Sequence, residues 1–182
     1  MQSTRKVRFA KVAIIAFVPV VIYAFREGPP PRKTGAPGDS TCLDCHIGPR
    51  IDNSPKLDVT FPNGLTYTPG VQQKLVVHVD VPGVEAWGFE MTARLASDAS
   101  NAQAGSFSPL DEHTQVICQN GSPRPSGGCS ASAPLEFIEH TLAGTQDDTF
   151  TFNWTPPASH VGHVEIYVAA NASTGPAPAG AN

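Results

Sequence analysis

Charge is scarce in this chain. Asp, Glu, Lys and Arg make up 15 % of its 182 residues, and the formal net charge is −4, with a sequence pI near 5.8. Most of the 12 Lys and Arg fall in the first third, and no basic stripe interleaves with aromatics, which argues against a nucleic-acid surface. Long apolar runs are few as well. The run from Val12 to Phe25 falls short of the ~20 residues that a membrane span needs. No phosphate-cradling glycine loop follows a strand-like segment. Acids pair only as neighbours, Asp111-Glu112 and Asp147-Asp148, and no Ser, Cys or carboxylate constellation suggests turnover. An enzyme is therefore not expected.

What the chain does have begins with a leader-like segment. Arg5, Lys6, Arg8 and Lys11 precede the apolar run without an acid among them, the pattern of an export signal. Residues 1–26 are expected to form a hydrophobic helix, either cleaved near Ala24 or kept as a membrane anchor with Lys11 snorkelling. The rest of the chain then lies in the periplasm or on the outer face of the cytoplasmic membrane. No Cys follows the run, so a lipid anchor is not indicated. Residues 27–40 hold Gly28-Pro29-Pro30-Pro31 and Gly35-Ala36-Pro37-Gly38 and predict a stiff, extended spacer.

Beyond residue 50 the period of two dominates. Leu57 to Phe61 alternates and stops at Pro62-Asn63-Gly64. Leu75, Val77, Val79 and Val81 share one face of a second strand, and Trp87, Phe89, Met91, Ala93 and Leu95 share one face of a third. Gly105 to Phe107, Glu136 to Thr141, Thr149 to Trp154 and Gly162 to Ala169 follow. The expected fold is all-β, an antiparallel β-sandwich of about seven strands over residues 57–172, with a flexible tail at 173–182. Cys118 and Cys129 flank a loop with no apolar side chain to pack, and in an oxidising compartment they are expected to form a disulfide.

Between spacer and strands, residues 41–56 carry Cys42-Leu43-Asp44-Cys45-His46. Two thiols two residues apart, with a histidine after the second, form the attachment signature of a c-type haem. Each thiol adds to one vinyl group of the porphyrin, and His46 supplies the proximal nitrogen. Two other readings stay open. A redox dithiol uses CxxC at a helix start after a strand, which is missing here. A zinc site needs a fourth ligand, and adjacent Cys45 and His46 do not readily share one tetrahedral ion.

Several stretches together resemble a known type. They are Thr34-Gly35-Ala36-Pro37-Gly38, Tyr67-Thr68-Pro69-Gly70, Trp87 to Ala93, Glu139-His140-Thr141, Phe152 to Pro157 and Val164 to Asn171. Over residues 34–175 the chain resembles bacterial reeler-type (Reelin-domain-like) proteins with an N-terminal CxxCH. That resemblance implies an exported β-sandwich with one covalent haem c, and it implies no established reaction.

A low-spin haem needs a second axial ligand. His140 is the first choice, because the resemblance also places a histidine there; Met91 and His78 are the alternatives. The functional expectation is a monohaem electron carrier, membrane-tethered, serving a respiratory or photosynthetic membrane complex. The alternative is a reeler-like structural, adhesion or scaffold module in which the CxxCH site belongs to no electron relay.

Overall fold

The computed structural model describes residues 27–174. Among them, eight strands form in chain order: β1 (Leu57–Thr60), β2 (Gln73–Val79), β3 (Ala86–Leu95), β4 (Ser106–Pro109), β5 (Thr114–Cys118), β6 (Glu136–His140), β7 (Thr149–Thr155) and β8 (Val164–Ser173). They build two four-stranded sheets, ordered β1-β2-β7-β4 and β5-β6-β3-β8. Every strand pair is antiparallel. The all-β antiparallel sandwich is therefore what the chain forms, with β5 as a strand that the sequence pattern did not isolate. Asn120-Gly121 turns the chain after it, but Val116, Ile117 and Cys118 are apolar in a row, so no alternation marked the strand. The expected hydrophobic helix at 1–26 and most of the expected tail lie outside the described residues.

The core follows from alternation. Leu75, Val77 and Val79 of β2 and Phe150, Phe152 and Trp154 of β7 face Phe89, Met91 and Ala93 of β3 and Ile138 of β6. Register brings Leu75 opposite Phe152 and Met91 opposite Ile138, so each inward residue meets another inward residue. Phe89 joins the layers: its ring lies 4.5 Å from Phe150 and stacks on Phe152 at 5.7 Å. Burying each such ring stabilises by roughly 1.5–3 kcal/mol. Met91 is wholly buried in this layer, and His78 faces outward beside Asp148.

In β3 the second face is buried too. Gly88, Glu90, Thr92 and Arg94 alternate with the core residues, yet all four are covered. The His140 ring covers Gly88, and the stretch expected to be a free spacer covers Glu90 and Arg94. Residues 27–46 cross the outer face of the β5-β6-β3-β8 sheet and touch its strands in that order. Gln115 of β5 donates to the Glu27 carbonyl, Gly28 packs on Glu139 and His140 of β6, Lys33 and Asp39 reach β3, and His46 reaches Asn171 of β8. Proline density gives an extended strap that is held down because its polar groups find buried partners.

Candidate functional site

The strap is fixed at its middle by charge. Asp39 and Arg94, both without side-chain exposure, meet at 2.9 Å. Asp39 also accepts from Arg32 at 3.0 Å and from Thr34 Oγ1 at 2.8 Å. Arg94 spends its remaining donors on Thr92 Oγ1 and on the carbonyls of Ala99 and Ser100. Its guanidinium lies over the Phe137 ring, 5.4 Å from the centroid. Burial lowers the Arg94 pKa, and the Asp39 charge opposes that.

Ahead of this pair the strap lies on two acids. The Lys33 amide donates to Oε2 of Glu90, and Gln115 Nε2 holds Oε1 of Glu139 at 2.9 Å. Burial pushes Glu90 up to about 8 and Glu139 up to about 9, the Glu90 charge adding to the second. Gly28 adopts φ +116 against Glu139, and a Cβ there would overlap the carboxyl group.

Beyond Asp39 the strap ends in a short 3-10 turn, Cys42–Asp44, capped by the Thr41 side chain. Lys33 Nζ binds Asp44 at 2.6 Å and fixes this turn to the strap. Here the sequence expectations meet the structure. Cys42 is largely covered, and burial beside Glu90 pushes its thiol up to about 11, whereas Cys45 stands exposed. His46 is exposed, with Nδ1 3.4 Å from Asn171 Nδ2. His140 stands nearby over Gly88. Its Nδ1 lies 3.1 Å from the Phe89 amide and 3.2 Å from the Phe89 carbonyl, where it accepts from one or donates to the other. Burial lowers its pKa, and His46 adds to this.

The haem c reading is corrected on this geometry. The two thiols that must reach one porphyrin edge differ in setting, one covered beside a buried acid and one in solvent. Among the described residues no group of three or more His, Cys, Asp or Glu could hold a metal ion. His46 is brought near His140, but Met91 belongs to the core and His78 to the opposite sheet. The residues therefore do not fit the group, and the cytochrome assignment falls with it. The expected membrane tether at residues 1–26 lies outside the described residues, and no helix among those described is long and apolar enough to cross a membrane. Without a haem site among the described residues, the expected respiratory or photosynthetic membrane partner loses the redox group it rested on. Cys118 and Cys129 do form a disulfide, closing the β5–β6 loop. No catalytic or metal site is evident among the described residues.

Pattern reading missed Glu90, Glu139, Asp39 and Arg94. The available signal was two acids and an arginine inside strands that otherwise read as core, since such side chains are seldom fully buried without partners.

No family model matches the chain, and no curated protein matches it. Among solved structures, the human F-spondin reeler domain matches at 16% identity and TM-score 0.46, covering 70% of this chain and 81% of that one. A second fragment of the same domain matches at 16% and 0.46, covering 69% and 79%. The Reelin-N domain of F-spondin does so at 16% and 0.46, covering 66% and 76%. These are domains of the type that the sequence resembles. At this level the likeness says nothing of what the chain binds, and the architecture rests on its own strands and register.

Proposed function

We propose that the chain is a structural or adhesion module working outside the cytoplasm. The observation that carries this is sheet β5-β6-β3-β8, whose central strands β6 and β3 are covered on both faces, by the core on one side and by the strap on the other. That makes a stiff body with its working groups on the rim. The Cys118–Cys129 disulfide supports an oxidising compartment. Around the turn with Cys42, Cys45 and His46, beside His140, the side chains of Leu43, Ile47 and Ile51 stand exposed. Apolar side chains gathered at one end of a folded domain suit contact with another protein. The turn is thus the contact site, with Cys45 and His46 at its centre.

Two measurements test this. Intact mass of the purified chain should equal the polypeptide less two hydrogens for the one disulfide, with two thiols free to alkylate. A covalent adduct on Cys42 and Cys45 would overturn the module reading. Beads coated with the chain should adhere to the producing cells, and the triple variant Leu43→Ser, Ile47→Ser, Ile51→Ser should lose most of that adhesion. Equal adhesion by variant and native chain places the contact elsewhere.

A further inference from the structure

Glu90 and Glu139 stand directly opposite one another across the β3–β6 pair, on the outer face of the sheet. Both are sealed from solvent, at 0 % and 2 % exposure. Like charges in this position repel, and the strap keeps out the water that would screen them. One oxygen of each, Oε1 of Glu90 and Oε2 of Glu139, is buried without a hydrogen-bond partner. A neutral acid tolerates that setting far better than a carboxylate does.

The remaining oxygens hold the strap. Glu90 takes the Lys33 amide, while Glu139 takes Gln115, which in turn holds the Glu27 carbonyl. Facing Glu90 are Lys33, Asp39 and Cys42 from the strap, Arg94 from β3 and Glu139 from β6. Facing Glu139 are Glu90 and the neutral Gln115. The cations here are committed: Arg32 and Arg94 to Asp39, Lys33 to Asp44. Three cations thus face two acids, and the one positive charge in excess can offset one carboxylate of the Glu90–Glu139 pair but not both.

We propose that residues 27–44 form a strap that opens as pH rises, released when the Glu90–Glu139 pair gives up its protons, while the sandwich beneath stays folded. The two acids interact and titrate as a pair, over the range from about 8 to about 9 to which burial raises them. Arg32 already sits at φ 73, a left-handed strain that opening relieves. The sandwich holds because its core lies on the opposite face of β3. Lifting the strap uncovers Glu90, Glu139 and Arg94, which it touches when closed, and gives the protein a second outer face in alkaline surroundings.

Trypsin cleavage after Lys33 reads the opening directly, normalised to a free peptide spanning residues 29–38 so that the protease's own pH profile cancels. The normalised rate should rise at least tenfold between pH 7 and pH 9.5, with circular dichroism unchanged. Glu139→Gln removes one charge and keeps a partner for Gln115, so its rate should stay flat to pH 9.5. Glu90→Gln should behave alike and serves if the first variant folds poorly. A flat native profile, a rise that both variants share, or loss of strand signal together with cleavage overturns the proposal.

Discussion

Arg94 and Asp39 show how much one buried pair controls. Neither side chain reaches solvent, and each is fully engaged. Replacing a buried partner leaves an uncompensated charge, which costs about 3–5 kcal/mol. Asp39→Asn should therefore lower the urea midpoint sharply, whereas the double variant Asp39→Asn, Arg94→Met should recover part of the loss. A double variant no better than Asp39→Asn alone would mean that the two do not act as a pair. Gly88 is constrained by its neighbour. A Cβ there would come within 2.7 Å of His140 Cε1, and displacing a ring from a filled site costs roughly 1–3 kcal/mol. Gly88→Ala is expected to push the imidazole out toward solvent. Burial is the main cause of its lowered pKa and outweighs the Phe89 bond that raises it, so the His140 pKa should rise in an NMR titration. No change would show that the ring has room to shift.

At the scale of elements, β5 and β6 depend on the loop between them. The Cys118–Cys129 bridge closes 11 residues of sequence separation, and a loop of that size is worth about 3 kcal/mol through the unfolded state. The double variant Cys118→Ser, Cys129→Ser should lose about that much in denaturant unfolding. The effect should be local as well, because Arg124 in this loop pairs with Glu136 at 3.2 Å, and Glu136 accepts the Phe107 amide of β4. Amide exchange at Phe107 should therefore quicken in the variant; if it stays at the native rate, the loop holds its place without the bridge.

For the whole molecule the buried acids set the dependence on pH. Their folded pKa values lie above those of the unfolded chain, so the folded state holds extra protons from about pH 4.5 to about pH 9. Stability is then greatest at the acid end of that window and falls as pH rises, by up to about 1.4 kcal/mol per pH unit for each group. His140 acts the other way: its pKa is lowered, so it adds stability as pH climbs toward 6.5. The expected curve declines gently below pH 6.5 and more steeply above it, until strap release relieves the acids and caps the loss. Urea unfolding at pH 5.5, 7.5 and 9.5 checks this, and a midpoint that climbs across the series would contradict the buried acids.

Alternation alone placed the sandwich. In β3 the odd positions Phe89, Met91 and Ala93 could lie only on an inner face, because a period of two admits no other packing of such side chains. The cysteine loop was equally plain, since a polar loop between two cysteines has little else to hold it. The strap was not legible. Gly28 to Gly38 reads as a spacer by composition, and its partners Glu139, Glu90 and Arg94 lie 50 or more residues away on strands whose pairing no local pattern encodes. The CxxCH motif misled for the same reason. Spacing along the chain specifies which side chains are present, but whether Cys42 faces a cofactor or a buried glutamate depends on the sheet it lies against. Local order follows from steric period and turn chemistry. The fate of the polar residues was decided by the dielectric and the neighbours that only folding brings to them.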